Sequence, residues 1–256
     1  MWKVFSASAQ GQWYFSKGKN NQDAVDCFAD ENLAVSVICD GCGSSSNSEV
    51  IARLSVGFFV RTVRRLIGDG VSLEKLPQIL FAEYLEYLKW KVETEFLNTT
   101  EQIDLFIRDY LLCTINGVVA YDDKVLLFSC GDGANYLNSS IYQIFISPGN
   151  RPTYAAYNLY RLYGFVPEWT KVLKDERGNE TVIPEGFATT LLVAKDINLV
   201  GIASDGISDL PNLFDELRLH ATSQLSLNLC MNRIAMVRGE IMDNVTVAFF
   251  VKTGGG

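Results

Sequence analysis

Short apolar runs, rich in β-branched residues, constrain the fold of this chain more than any other feature. Such runs, bounded by polar or glycine residues, are typical of buried β-strands. They predict strands at Asn32–Cys39, Leu111–Tyr121, Lys124–Cys130, Leu191–Ala194, Asn198–Ala203 and Asn244–Val251. Because strand runs and helical runs are segregated along the chain, an α+β layered sandwich is favoured over a doubly wound parallel sheet.

Between the first two predicted strands, apolar residues recur at steps of three and four. This spacing predicts two amphipathic helices, one around residues 51–59 and a longer one over residues 81–96. Thr99 and Gln102 have the spacing of a capping box, which predicts a further short helix. The Tyr121–Lys124 step predicts a hairpin turn. Helices near residues 211–239 are expected before the final strand.

The segment Ser139–Gly186 is less regular and is predicted to be a flap-like excursion over the surface. It contains Pro148, Pro152, Pro167 and Pro184. A chain of 256 residues is within the length of one large domain. We therefore expect residues 1–256 to form a single domain.

Composition excludes several classes of partner. The formal net charge is −8 at pH 7 and no basic run occurs, so nucleic acid is not an expected partner. No signal-peptide pattern and no apolar stretch long enough for a membrane span is present, which predicts a soluble, cytoplasmic protein without a membrane partner. The six cysteines are too scattered for a disulfide framework and are expected to be reduced.

The single histidine, His220, restricts the chemistry further. A zinc hydrolase with several imidazole ligands cannot be built from one histidine. A Ser-His-Asp triad would have to use His220, which lies in a polar, helical stretch and follows no nucleophile motif. Catalysis, if present, is therefore expected to depend on carboxylates.

Aspartates occur where apolar runs stop. Three of them are followed by glycine, in SVICDGCGSS, LLFSCGDGAN and GIASDGISD, and Asp243 precedes the last strand in MDNVTVAFF. Each Asp-Gly alone is typical of a turn. Several carboxylates that converge on one sheet edge repel each other unless a cation neutralises them. Oxygen ligands without thiolate or imidazole indicate Mg²⁺ or Mn²⁺.

The whole set resembles the type 2C, metal-dependent serine/threonine protein phosphatases, in particular their bacterial branch. The matching motifs occur in family order and are NNQDA at 20–24, VICDGCGSSSNSE at 37–49, SCGDGANYL at 129–137, IASDGISDL at 202–210 and MDNVTVAF at 242–249. The resemblance implies a four-layer α-β-β-α sandwich of two antiparallel sheets. It also implies hydrolysis of phosphoserine and phosphothreonine in proteins by a water or hydroxide that two cations share.

The resemblance assigns roles to individual residues. Asp40 is similar to the catalytic carboxylate that bridges two metals, Asp205 and Asp243 complete the protein ligands of the first ion, and the Gly41 carbonyl serves the second. Asp23 is similar to the second catalytic aspartate, which holds water at the metals. A weaker third-metal site is implied for Asp132, Asp205 and Asp209.

The sequence departs from the family pattern at three places. Gln22 stands where many members have glutamate, and Cys42 where eukaryotic members have a histidine that protonates the leaving group. Gly18 stands where several members have a phosphate-binding arginine, so the flanking Lys17 and Lys19 are predicted to bind phosphate as point charges. Cys42 also forms a CxxC with Cys39, which without a second CxxC favours packing over a redox switch or a zinc site.

Two other functions stay open on the sequence. One is a pseudophosphatase that binds a phosphoprotein or regulates a partner without turnover, and the other is a phosphatase of small metabolites. The partner expected on the main hypothesis is a phosphorylated protein, and the chain itself is expected to be a monomer.

Overall fold

Two antiparallel sheets form the centre of the protein. The computed structural model describes residues 1–138, 140–145, 147, 152–165, 183–210 and 212–253, with 140–145 and 209 described by their backbone alone. Within these ranges the two five-stranded sheets have the orders β1-β10-β9-β6-β7 and β2-β3-β4-β5-β8. The strands are β1 (Trp2–Ala9), β2 (Asp23–Ala29), β3 (Leu33–Asp40), β4 (Ile115–Tyr121), β5 (Lys124–Cys130), β6 (Gly133–Leu137), β7 (Ser140–Phe145), β8 (Ala188–Val193), β9 (Leu199–Ala203) and β10 (Val245–Lys252).

Helices flank both sheets. They are α1 (Gln12–Ser16), α2 (Ser48–Gly68), α3 (Leu76–Thr94), α4 (Thr100–Tyr110), α5 (Asn158–Leu162), α6 (Leu213–His220) and α7 (Gln224–Asn232), which continues as a π-helical turn over Arg233–Arg238. Among the helices of the described ranges, none combines the length and the apolar character needed to cross a bilayer.

The side chains of β3 show how the layers are built. Val35, Val37 and Cys39 pack into the core beneath α2 and α3, whereas Ala34 and Ile38 belong to the apolar layer between the sheets. This alternation follows from the two-residue period of a strand. A further core lies between the first sheet and helices α6 and α7. The arrangement confirms the α-β-β-α sandwich of two antiparallel sheets.

The buried strands agree best with the sequence predictions. β5 begins and ends at the predicted residues, and β3, β9 and β10 lie within one residue of theirs. The Tyr121–Lys124 hairpin is confirmed, with Asp122 in the left-handed region at a φ of 53°. β4 begins only at Ile115, because Cys113 makes an isolated bridge to Gly41 outside the ladder. β8 begins three residues before its predicted start.

Other elements were harder to predict. The sequence pattern does not predict β1, β2, β6 or β7, in which apolar residues are interrupted by Ser, Asp or Asn or the strand is short. The helix predicted to reach Phe96 ends at Thr94, and Phe96 itself has a φ of 52°. The predicted cap is confirmed, since the Thr99 side chain accepts a hydrogen bond from the Gln102 amide at 3.2 Å.

Part of the predicted flap-like segment, namely 139, 146, 148–151 and 166–182, lies outside the described residues. Its described parts are more regular than predicted. They include β7, a 3₁₀ turn at Ala155–Tyr157 and α5. Tyr154, Tyr157 and Tyr160 are buried in the core beneath the helices, so this part of the segment packs against the domain.

Candidate metal centre

Three aspartates that follow or precede strands meet at one end of the sandwich. Asp40 ends β3, Asp205 comes two residues after β9, and Asp243 stands two residues before β10. All three line one cavity of about 340 Å³. The other described lining residues are Trp13, Tyr14, Gly41, Cys42, Gly43, Ser44, Thr114, Pro152 and Tyr154. The structure therefore brings Asp40, Gly41, Asp205 and Asp243 together in one cavity.

Asp40 lies close to two other carboxylates, Asp23 and Asp205. Its neighbour across the β2–β3 ladder is Asp23. Burial, followed by the negative charges of Asp23 and Asp205, holds the pKa of Asp40 well above its usual range. The ionised form of this carboxyl is thus disfavoured until positive charge is added.

Asp23 lies just behind the cavity and is 5% exposed. Its Oδ2 accepts a hydrogen bond from the Ser204 hydroxyl at 2.7 Å, while its Oδ1 has no partner among the described residues. Burial raises the pKa of Asp23 to about 6, with a smaller contribution from the charge of Asp205, although the hydrogen bond from Ser204 acts in the opposite direction.

Tyr14 is a cavity residue that the sequence did not indicate. It is 8% exposed and lies on α1. Burial and then the charges of Asp243, Asp40, Asp23 and Asp205 raise the pKa of its phenol well above the usual range. The hydroxyl is therefore protonated at neutral pH and is a hydrogen-bond donor among carboxylates.

These observations fit hard divalent cations. The acidic side chains offer only carboxylate oxygens as metal ligands, the charges of Asp23 and Asp205 raise the pKa of Asp40, and Asp23 Oδ1 is buried without a partner among the described residues. Among the described residues, no three Asp, Glu, His or Cys side chains are placed so that they could hold a metal ion as they stand. The three aspartates nevertheless share one cavity, and carboxylates that repel each other draw together only around a bound cation.

Comparison with known proteins decides the family. Residues 10–234 match the family model described as protein phosphatase 2C. This chain belongs to the protein phosphatase 2C family. Among curated proteins, none matches it.

Solved structures of phosphatases share the fold of this phosphatase 2C family member. The serine/threonine phosphatase Stp1 from Staphylococcus aureus is 16% identical, with a TM-score of 0.55 over 99% of this chain and 96% of that one. The catalytic domain of the serine/threonine phosphatase PstP, in complex with two manganese ions, is 18% identical, with a TM-score of 0.55 over 98% and 97% of the two chains. A bacterial serine phosphatase is 18% identical, with a TM-score of 0.56 over the full length of both chains.

The residues predicted for a third metal are only partly placed by the structure of this phosphatase 2C domain. Asp132 is buried, its Oδ1 accepts a hydrogen bond from the Ser147 hydroxyl, and it lies outside the described lining of the cavity. Burial and then the charge of Asp205 raise the pKa of Asp132, so the two carboxylates interact. Asp209 ends a 3₁₀ helix that starts at Asp205, and its side chain lies outside the described residues.

The two lysines predicted to bind phosphate are near the cavity but are not in its described lining. The Lys17 ammonium lies 3.7 Å from the centroid of the Trp13 ring. The Lys19 ammonium donates a hydrogen bond to the Gly43 carbonyl at 2.9 Å. Their role in phosphate binding stays a prediction.

Close packing between α1 and the loop before β10 holds one wall of the site. The Gly11 amide donates to Asn244 Oδ1 at 3.1 Å. A Cβ atom on Gly11 would lie 2.3 Å from the carbonyl carbon of Asp243, so only glycine fits here. The Asp-Asn pair before the last strand was the one sequence signal for this contact, and nothing in the sequence pointed to Gly11.

The departures from the family pattern also have defined places. Gln22 is buried, and its amide donates to the Ser48 hydroxyl at 2.9 Å, while its Oε1 has no partner among the described residues. Cys42 lines the cavity, and although burial acts to raise its pKa, hydroxyl groups of Ser44, Ser45 and Tyr154 lower it overall. Cys39 is a buried strand residue, and none of the six cysteines forms a disulfide.

Proposed function

We propose that this phosphatase 2C member hydrolyses phosphoserine and phosphothreonine in protein substrates, with Mn²⁺ or Mg²⁺ as its cofactor. The observation that carries the proposal is the meeting of Asp40, Gly41, Asp205 and Asp243 in one cavity of a chain from this family. The manganese-bound PstP domain, which shares the fold, supports the choice of cation.

Each acidic residue has a proposed task. Asp40, Asp205, Asp243 and the Gly41 carbonyl would hold two cations, and Asp132 and Asp209 are proposed for a weaker third. When bound, such cations supply a water of lowered pKa and neutralise charge on the phosphoryl oxygens. Asp23 would accept a hydrogen bond from water at its unpaired Oδ1 and so orient that water. No covalent intermediate on a cysteine is required.

The walls of the cavity have a separate task. Trp13, Pro152 and Tyr154 line it beside the carboxylates, so a bound phosphoryl group would lose part of its contact with bulk water. Removing water strengthens the electrostatic interactions that act on the phosphoryl group. Lys17 and Lys19 remain proposed as positive charges that attract the substrate.

Turnover of p-nitrophenyl phosphate and of a phosphoserine peptide in Mn²⁺ tests the proposal. We expect both reactions to stop when a chelator is added and to resume when Mn²⁺ is restored. A panel of phosphorylated metabolites in the same assay separates protein from metabolite substrates, and a clear preference for metabolites would displace the protein-substrate proposal.

A second candidate is a pseudophosphatase that binds a phosphoprotein. It is favoured by Gln22 in place of glutamate and by a described cavity lining without Lys or Arg. Calorimetric titration with Mn²⁺ distinguishes the two candidates. Two binding events with turnover support the enzyme, whereas absence of a two-metal isotherm favours the binding module.

The organisation of the chain is part of the same proposal. The family match over residues 10–234 supports one domain for residues 1–256. We propose that the protein acts as a monomer and in the cytoplasm, the latter because cysteine usage of this kind is typical of a reducing compartment.

A further inference from the structure

Tyr14 occupies a position in the cavity that no predicted role explains. It is the third residue of α1, and its ring makes an edge contact with Trp13 at a centroid distance of 4.7 Å. Its side chain lines the cavity together with Asp40, Asp205 and Asp243. A tyrosine in this place presents a hydroxyl group among carboxylates that can only accept hydrogen bonds when ionised.

Tyr14 is 8% exposed, and its hydroxyl is neither hydrogen-bonded to a described side chain nor among the fully buried polar atoms that lack a partner, so it keeps contact with the open space of the cavity. Buried tyrosine hydroxyls usually find a partner, because losing water without replacement costs free energy. Tyr84, for example, is 1% exposed and shares a hydrogen bond with the Ser55 hydroxyl at 2.8 Å. The Tyr14 hydroxyl is thus a donor available to a molecule in the cavity.

The backbone holds Tyr14 firmly in place. The amides of Gln12 and Trp13 donate to the carbonyls of Ile241 and Met242 at 2.9 and 3.1 Å, which ties α1 to the segment before Asp243. The ring then reaches the loop after Asp40. A Cβ atom on Gly43 would lie 2.4 Å from the Tyr14 hydroxyl, so the glycine leaves the space that this hydroxyl occupies.

A phosphoryl group needs hydrogen-bond donors on its oxygens, and the side-chain donors in the described lining are uncharged ones, on Trp13, Tyr14, Ser44, Thr114 and Tyr154. No Lys or Arg belongs to it, and the Ser44 hydroxyl is in contact with the Cys42 thiol at 3.2 Å. Hydrogen bonds from protein donors to phosphoryl oxygens are short and strong because the acceptor is charged. Tyr14 can supply such a bond at the place where the metal-binding carboxylates meet.

We propose that the Tyr14 hydroxyl donates a hydrogen bond to a non-bridging phosphoryl oxygen of the substrate. This role rests on the proposed phosphatase function and adds a phosphate-binding residue to it. The bond would form in the bound substrate and in the phosphate product alike, so it should be visible in the binding of inorganic phosphate.

The test compares the wild type with Tyr14→Phe and with Tyr136→Phe as the matched control. Tyr136 is a buried tyrosine on β6 that stacks on Phe214 and does not belong to the described cavity lining. Both variants lose one hydroxyl and keep the ring. The readouts are the inhibition constant of inorganic phosphate against p-nitrophenyl phosphate, the Mn²⁺ concentration at half activation, and the rise in Tm that phosphate causes in Mg²⁺.

For Tyr14→Phe we expect phosphate inhibition to weaken by about tenfold to a hundredfold, as for the loss of one hydrogen bond to a charged group. The phosphate-dependent rise in Tm should shrink in parallel. Half activation by Mn²⁺ and the Tm without metal or phosphate should stay at their wild-type values, since the lost hydroxyl has no partner in the described protein. Tyr136→Phe should leave phosphate inhibition unchanged.

Two outcomes would overturn the inference. One is unchanged phosphate inhibition in an active Tyr14→Phe enzyme. The other is a shift of the Mn²⁺ requirement together with phosphate inhibition, which would make Tyr14 a support for the metal ligands. If the wild type shows no turnover, the proposed function fails, while the phosphate-dependent rise in Tm still decides whether Tyr14 contacts phosphate.

Discussion

The layer between the two sheets differs sharply between its middle and its end. In the middle, Ile38, Val118, Ile202 and Phe250 are fully buried and apolar. Two residues further along β3, on the same face as Ile38, stands Asp40 in the carboxylate cavity. One strand therefore serves two purposes, because its middle contributes hydrophobic burial and its end holds charge that the metal-free protein disfavours.

Asn116 marks the transition between these regions. It is 2% exposed, and its amide donates to the carbonyls of Ala134 and Ala203 at 3.0 and 3.3 Å, which ties the two sheets together below the cavity. Nearby, Asp23 is buried and keeps one oxygen unpaired among the described residues. The apolar middle of the layer thus stabilises the fold. The buried carboxylates at its end lower the stability of the metal-free protein, at the place where metal binding is proposed.

The strongest test of this contrast is Asp40→Asn. We expect kcat/KM for p-nitrophenyl phosphate in Mn²⁺ to fall by roughly a thousandfold or more, about 4 kcal/mol, because the carboxylate proposed to bind both cations loses its charge. Steady-state kinetics measures the loss. The matched control is Asp122→Asn, at an exposed hairpin position with a φ of 53° that asparagine also adopts, and it should keep wild-type kinetics. Wild-type turnover in Asp40→Asn would break the contrast.

Ile38→Ala tests the apolar middle. Removing this side chain should lower the free energy of unfolding by about 2–5 kcal/mol, since a fully buried residue is truncated and leaves a cavity. Urea unfolding of the metal-free protein measures the change. Ile38→Val should cost only about 0.5–1.5 kcal/mol at the same position. Equal losses of stability in the two variants would mean that neighbouring side chains move to fill the cavity left by Ile38→Ala, so that this layer is not tightly packed.

The carboxylates predict an unusual pH dependence in the metal-free protein. The folded-state pKa of Asp23 is raised from 3.8 to about 6, so between these values the folded protein holds a proton that the unfolded chain has lost. Stability should therefore fall as the pH rises through this window, by on the order of 3 kcal/mol. Chemical unfolding of chelated protein at several pH values from 4 to 7 measures it.

Asp23→Asn provides the comparison for that pH effect, because the amide does not titrate. The fall in stability between about pH 4 and pH 6 should be smaller in this variant than in the wild type. Parallel curves for the two proteins would show that Asp23 is not the group responsible.

Cation binding at the carboxylate end of the layer should raise the stability of the folded protein, by less than the changes predicted above. Mn²⁺ at a hundred times its dissociation constant should stabilise the folded protein by about 2.7 kcal/mol, since it binds the folded state alone. Thermal unfolding with and without Mn²⁺ measures the rise in Tm, and Asp40→Asn should remove most of it. A rise of the same size in Asp40→Asn would place the cations elsewhere.

Local sequence predicts a strand correctly where one short apolar run contains all the information that is needed. β5 has four consecutive apolar residues, Val125–Phe128, between an Asp-Asp turn and a Gly-Asp step, and both of its ends were predicted. β2 was missed because Asp23 and Asp26 interrupt its apolar residues. A half-buried strand that contains carboxylates has a sequence pattern similar to that of a loop. Packing against the neighbouring layer, which the local sequence does not show, therefore decides that these residues form a strand.

The aspartates at strand ends followed from the sequence itself, since the end of an apolar run is a local property, and the family resemblance then put Asp40, Asp205 and Asp243 in one site. Only the tertiary structure decided what surrounds them. α1 has five residues and no sequence signal for function, yet its contacts with the segment before Asp243 place Tyr14 in the cavity. Burial and the raised pKa values of Asp23 and Asp40 likewise depend on charges that are distant in sequence, because electrostatic interactions depend on distance in space and on exclusion of water.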